Sequence, residues 1–342
     1  MDKKVFVGLS GGVDSSVTAA MLMDKGYNVS GINLVLTEND EKVTSKEAEK
    51  IAKVLDIPFY KIDLREDFDK YVISYFVEEY KKGRTPNPCI VCNQFIKFGA
   101  MLDRALELGA DCVATGHYAQ VEQQGGEYIL RASSSAKDQS YFLYRLNQRQ
   151  LEHVMFPVAG FEKLDTRALA EQYHLPVADK KDSQEICFVP DNDYAGFIHR
   201  YSDYEDKSGN FVDLDGNILG EHRGIIHYTV GQRKGLGMAF GQPMFVTKID
   251  AKTNEVVLAP DGFQQTREFL VENLSFISGR PLCDETHAKV KIRFRAQPSS
   301  ATLIPKEDKI LVVFDEPQRA VTPGQSAVFY DNDIVIGGGF IL

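Results

Sequence analysis

The chain has 342 residues, 43% hydrophobic and 26% charged, enough for two or three domains with sizeable cores and an ordinary globular composition. Its 39 Lys and Arg against 49 Asp and Glu leave a formal charge of −10, which excludes a uniformly basic nucleic-acid coat and leaves room for a local basic face. No run approaches the roughly 20 apolar residues of a membrane helix and the first apolar run is too brief for a signal peptide, so a cytoplasmic protein with no membrane partner is expected.

In chain order, Val5 to Leu9 predicts a strand, Ser10-Gly11-Gly12 a turn, and Val13 to about Lys25 a helix. A second strand is predicted over Tyr27 to Leu36, followed by a helical window in which Ala48, Ile51, Ala52 and Leu55 share a face. Phe59 to Leu64 reads as a third strand. Phe68, Tyr71, Val72, Tyr75 and Phe76 signal a helix from Asp67 to Lys82, stopped by Gly83. Another helix is predicted from Asn93 to Leu108, with Gly109 as its stop, and a fourth strand from Asp111 to Thr115. Strands alternating with helices imply an α/β, doubly wound parallel sheet covered on both faces. Near residue 200 the texture changes to short strands with turn signals at Asp215-Gly216, Asp261-Gly262 and Pro323-Gly324. This suits a small β-rich module and then a C-terminal β-barrel. The expected division is 1–202, 203–265 and 266–342.

The strongest local signal is Ser10-Gly11-Gly12-Val13-Asp14-Ser15-Ser16 between strand and helix. Glycines let the backbone approach an anion, the serine hydroxyls add donors, and a helix N-terminus supplies free N–H groups, so a phosphate is expected here. The Gly-Lys-Ser/Thr of a γ-phosphate-cleaving site is missing.

Five cysteines, an odd number, argue against a disulfide framework. Cys89 and Cys92 form a C-x-x-C behind two prolines, and Cys187 follows much later. The first pair is expected in a stiff loop ahead of a helix whose N-terminus lowers thiol pKa. A structural zinc site would need a second such pair, which the sequence lacks. Cys112 reads as core, and nothing marks Cys283 as reactive.

The loop resembles that of the ATP pyrophosphatase superfamily, the adenine nucleotide alpha hydrolase-like fold, whose members hold the pyrophosphate of ATP and adenylate a substrate. In order, GLSGGVDSS, RTPNPCIVCNQFIKFG, ATGHY, KDQSYFL, KKDSQEICF, HYTVGQRKGLG and VTPGQSAVFY are similar to the bacterial tRNA 2-thiouridylases over nearly the whole chain. That resemblance implies adenylation of the C2 oxygen of the wobble uridine by ATP with Mg²⁺, followed by displacement of AMP by protein-bound sulfur. It implies an ATP site at Gly8, Leu9, Ser10, Gly11, Gly12, Val13, Asp14 and Ser15, with Leu34, where the family has Met, and Gly116. Cys92 and Cys187 match the catalytic cysteines, with Cys187 carrying a persulfide and Cys92 assisting its release. Asp138 and Gln139 are expected to orient the base.

By the same resemblance Asn87, Pro88 and Cys89 lie at the target base, and His117 and Lys137-Asp138-Gln139 face the tRNA, as do Arg293, Phe294, where the family has Tyr, and Gln325. Many relatives have Asp where this chain has Cys89; the three thiols Cys89, Cys92 and Cys187 therefore also suit a [4Fe-4S] cluster with one open iron. The implied partners are the anticodon stem-loops of the tRNAs for Lys, Glu and Gln, and a sulfur carrier or cysteine desulfurase. Arg223, Arg233, Lys234 and Lys248, and then Lys289, Lys291, Arg293 and Arg295 alternating along one expected strand, offer phosphate contacts to an otherwise acidic protein. The rival readings are a small-molecule ATP-pyrophosphatase ligase, which needs no paired thiols, and a non-catalytic RNA-binding or iron–sulfur protein.

Overall fold

The computed structural model describes residues 3–178, 180, 186–263 and 265–342. Seven strands lie in the first part of the chain: β1 (Lys4–Gly8), β2 (Asn28–Val35), β3 (Phe59–Asp63), β4 (Cys112–Ala114), β5 (Ala119–Gln124), β6 (Glu127–Ala132) and β7 (Val154–Met155). β1, β2, β3, β4 and β7 form one parallel sheet in the order β3-β2-β1-β4-β7. Val5 and Val7 in β1 are fully buried, as a strand covered on both faces requires. Helix α1 (Val13–Asp24) is buried along nearly all of its first ten residues, so it is a core element rather than an amphipathic cover. The edge strand β7 was not predicted: two residues carry no alternation to read.

Because β1 is followed by β2 on one side and flanked by β4 on the other, the crevice at their carboxyl ends is a topological switch point, where α/β sheets bind ligands. Both the glycine loop and the turn after β4 open there.

The central module is a four-stranded sheet of Gly209–Val212, Ile218–His222, Phe245–Asp250 and Glu255–Ala259. Six antiparallel strands (Gln265–Phe276, Thr286–Lys291, Ser299–Lys306, Lys309–Arg319, Ser326–Asp331 and Ile334–Ile341) close into a barrel through pairing of the first with the last. The β5–β6 hairpin leaves the first domain and joins this barrel, with Arg131 opposite Ile334. A continuous core cluster runs from Phe68 and Phe76 through Phe188 and Phe197 to Phe211, Val246 and Leu258, welding the first domain to the central module.

Two expectations are corrected. The helix expected to begin at Asn93 begins at Pro88 and is continuous over 88–107, π-wound between Cys92 and Ala100. Proline at the first helical position is preorganised for a helix start, so the prolines initiate the helix instead of holding a loop ahead of it. The strand expected to run on through Arg295 stops at Lys291; the chain then turns, with Ala296 N–H donating to Arg293 O.

Candidate active site

The glycine loop is clamped from beneath. Leu9 N–H donates to Ile32 O at 2.8 Å and Leu9 O accepts from Asn33 Nδ2 at 2.7 Å, while Asn33 Oδ1 accepts from the Ser45 hydroxyl at 2.7 Å. Gly11 has φ +70°, and a Cβ there would fall 2.9 Å from Glu47 Cβ, so only glycine suits the turn. Gly12 caps α1 in an extended conformation and makes no side-chain cap bond among the described residues, which leaves first-turn amides for an anion. The hydroxyls behave otherwise than expected: Ser15 and Ser16 both donate to Gly12 O, at 3.1 and 2.8 Å, and so shape the loop instead of opening outward.

After β4, Gly116 lies flat against the loop; a Cβ would stand 2.7 Å from Asp14 Cβ and 2.9 Å from Ser15 N. Asp14 accepts from Lys163 Nζ through both oxygens at 2.7 Å, and Oδ1 also accepts from the Tyr118 hydroxyl at 2.8 Å. Lys180 Nζ donates to Gly11 O at 3.0 Å and pairs with Glu47. None of these lysines was singled out in the sequence, because long-range ion pairs leave no local pattern. Leu34 sits near the end of β2, beside Ile62 of β3, and is partly buried among apolar side chains.

Cys89 occupies the second helical position and Cys92 lies one turn on, buried; Cys187 is exposed, and most of the KKDSQEICF motif before it, residues 181–185, lies outside the described residues. The next residue, Phe188, packs on Phe68, Phe76 and Phe197 with ring centroids 5.1 to 5.5 Å apart, anchoring the Cys187 arm. The expected lowering of thiol pKa is reversed. Protein packed around the sulfurs raises all three: Cys92 to about 11, and Cys187 to about 12 with the charges of Cys92 and Cys89 adding to the burial, while Cys89 rises through burial alone. Loss of hydration outweighs the helix terminus here.

The cation opposing ionisation loss at all three thiols is Lys97, half-buried and five residues beyond Cys92. The same lysine helps hold His117 neutral, well below its ordinary pKa, after the larger effect of burial. His117 Nδ1 meets Thr115 Oγ1 at 2.7 Å and its ring packs against both Phe98 and Phe156, which also touch each other. Gly116 thus packs on the glycine loop, and its neighbour His117 feels the same lysine as the thiols. Asn93, beside Cys92, donates to Phe142 O, and its buried Oδ1 has no partner among the described residues.

Although the thiols feel one another's charge, no three His, Cys, Asp or Glu among the described residues converge to hold a metal ion. The arrangement as it stands does not fit a cluster.

Asp138 is also reassigned. Its carboxylate accepts from Ser133 N–H, Ser140 N–H and the Ser140 hydroxyl, at 3.0 to 3.1 Å, and so holds the Lys137-Asp138-Gln139 turn together instead of reaching for a base. Gln139 Oε1 accepts from Tyr118 N–H. Lys291 of the barrel is buried, 3.9 Å from Asp138 and over the rings of Tyr141 and Phe294, and Phe294 lies 4.5 Å from Phe142. The structure therefore brings the 137–139 turn next to Phe294. Burial removes Lys291 from the phosphate-facing set; Lys289, Arg293 and Arg295 are exposed. In the central module Arg223, Arg233 and Lys234 are exposed, whereas Lys248 pairs with Asp250 at 2.9 Å. Asn87 caps the helix start, Pro88 is its first residue, and Gln325 lies half-buried with Nε2 on Thr85 O at 2.8 Å.

A glycine-rich loop at the switch point of a parallel sheet, with cysteines in the same domain and two β modules behind, is the architecture of an ATP-using transferase of the pyrophosphatase type. Models of three domains match the chain in sequence: a tRNA methyl transferase HUP domain over residues 3–191, a tRNA methyl transferase PRC-barrel domain over 195–260, and an aminomethyltransferase beta-barrel domain over 266–341. The tRNA-specific 2-thiouridylase MnmA of Acetivibrio thermocellus is 51% identical over 99% of both chains, and MnmA 2 of Thermoanaerobacter sp. strain X514 is 47% identical over 100% of this chain and 98% of its own. A solved 4-thiouridine synthetase–RNA complex with bound ATP is similar at 18% identity, covering 58% of this chain and 53% of its own, with a TM-score of 0.36. The chain belongs to the tRNA-specific 2-thiouridylase family, and the expected α/β class with a C-terminal barrel is borne out.

Proposed function

We propose that the chain catalyses ATP-dependent 2-thiolation of the wobble uridine of tRNA. The observation that carries this reading is a 51% identical relationship, over 99% of both chains, to a protein named as a tRNA-specific 2-thiouridylase. The loop and the thiols supply the chemistry it demands.

In this reading the uridine C2 oxygen attacks the α-phosphorus of ATP and pyrophosphate leaves toward the first-turn amides of α1. Mg²⁺ would enter with the nucleotide and screen its phosphates; Asp14, fixed by Tyr118 and Lys163, is the loop's carboxylate suited to hold it. The terminal sulfur of a Cys187 persulfide attacks C2, and the C2–oxygen bond breaks to release AMP. The Cys92 thiolate then attacks Cys187 Sγ; the persulfide S–S electron pair stays on the base as its new sulfur. A Cys92–Cys187 disulfide results, and a thiol reductant reopens it. Lys97 is the cation available to stabilise the thiolate in that step. Asp138 serves by holding the turn in which Gln139 and Lys137 face the RNA, and Asn87, Pro88, Cys89 and His117 wall the base pocket. Arg293, Phe294 and the exposed Arg223, Arg233 and Lys234 receive the anticodon stem-loop, with the tRNAs for Lys, Glu and Gln as substrates. Sulfur arrives from a cysteine desulfurase, directly or through a carrier, in the cytoplasm.

The test is an assay of tRNA-dependent AMP and pyrophosphate release together with analysis of digested tRNA for 2-thiouridine. Cys92→Ala and Cys187→Ala are expected to yield no thiolated product; product formation by Cys187→Ala would overturn the reading in favour of a thiol-independent ligase. Anaerobic purification with iron and sulfide analysis decides the sulfur route. Full activity in iron-free protein supports the persulfide, and activity that tracks iron content assigns Cys89, Cys92 and Cys187 to a [4Fe-4S] cluster instead.

A further inference from the structure

All three parts of the chain meet at Thr85, four residues before Cys89. Its N–H donates to Pro323 O of the barrel at 2.8 Å, its C=O accepts from Gln325 Nε2 of the barrel at 2.8 Å, and its hydroxyl lies 3.3 Å from the Thr229 hydroxyl of the central module. The neighbours repeat the pattern. Arg84 pairs with Glu272 of the barrel at 2.9 Å, and a Cβ on Gly83 would stand 2.7 Å from Ile249 of the central module. Gly324, at φ +89°, has its α-carbon face so close to this segment that a Cβ would fall 2.9 Å from both Arg84 Cβ and Thr85 N.

The two sides of the junction differ in freedom. Gln325 is fixed to the barrel through its backbone, its N–H on Thr322 O and its C=O on Ile341 N–H. Its side-chain Nε2 is the link to the thiol segment, and its Oε1 has no partner among the described residues. Downstream of Thr85 the chain passes Pro86 and Pro88, which limit backbone rotation, straight into the helix carrying Cys89 and Cys92. A displacement at Thr85 is therefore passed along a stiff segment to the thiols.

We propose that Gln325 is a positioning residue for sulfur transfer, coupling RNA seated on the barrel to the placement of Cys89 and Cys92 through the Thr85 carbonyl. This rests on the tRNA-thiolation reading. A residue that only gripped RNA would need no bond to the thiol segment.

The experiment compares wild type with Gln325→Leu, which keeps the size and removes the donor, measuring tRNA affinity, kcat and KM for tRNA, and the iodoacetamide alkylation rate of Cys92 with and without tRNA. For Gln325→Leu, kcat is expected to fall about tenfold, the upper range for one lost hydrogen bond, with little change in KM, and tRNA no longer to alter the alkylation rate. A raised KM with unchanged kcat would overturn the proposal and leave a plain RNA contact. Thr85→Val, which cuts the hydroxyl link to Thr229 and spares both backbone bonds, is the control: the tRNA effect on alkylation is expected to persist in it, its loss there would place the coupling in the central module instead of Gln325, and an unaltered effect in Gln325→Leu sinks the coupling. Wild type that releases no AMP with tRNA would instead overturn the thiolation reading itself.

Discussion

At the scale of single residues, close packing decides what the site tolerates. Gly116→Ala would press a methyl group into Asp14 and Ser15 at under 3 Å, displacing the loop proposed to hold pyrophosphate. ATP-dependent AMP release is expected to drop by about tenfold or more while tRNA binding persists, as filter binding would report. Lys163→Met strips Asp14 of its cation, and urea unfolding should show a loss of about 1–3 kcal/mol for the half-buried carboxylate left behind. The thiols give a pH signature. Their folded pKa values exceed the ordinary 9, so the native state keeps protons that the unfolded chain releases; their contribution to stability is whole below pH 9 and declines as pH climbs toward 11–12. Cys92→Ser and Cys187→Ser together should flatten that decline in denaturant melts taken across the alkaline range. Loop glycines and cysteines were legible in the sequence because their chemistry is local. Lys97, Lys163 and Lys180 were not, since each acts on groups that the fold alone brings near.

At the scale of elements, the first four strands and the helices of the first domain followed from periodicity and stop signals, whereas the β5–β6 hairpin and the two-residue β7 were missed, and the remaining errors fell where a proline or a strand end decides. Pro88 reads equally as a loop stiffener and as a first helical residue; only its position after the extended Asn87 tells them apart. Alternation of basic residues through Arg295 continued in the sequence past the point where the strand stops. The consequence is measurable. Replacing exposed Arg293 or Arg295 by Gln should reduce the slope of log affinity against log salt by about 1 each, if each contacts one phosphate. Lys291→Gln should leave that slope alone, because this lysine faces Asp138 rather than solvent.

At the scale of the whole molecule, the shift from helix-strand alternation to short strands announced two architectures, but nothing in the pattern revealed how tightly they are sewn together. The core cluster shared between the catalytic part and the central module, and the hairpin lent to the barrel, predict a single calorimetric unfolding transition rather than three. Separate peaks in a scan would contradict that.

The lent hairpin also bears on how such a chain diversifies. Its Tyr128 and Leu130 belong to the same apolar cluster as Val328 and Val335 of the barrel, so the seam between halves runs through a shared interior and not across a linker. The barrel is consequently no interchangeable cassette. Swapping it for one from a distant homologue would leave mismatched side chains on both banks, and changes in the barrel half must be matched by changes far upstream in the gene.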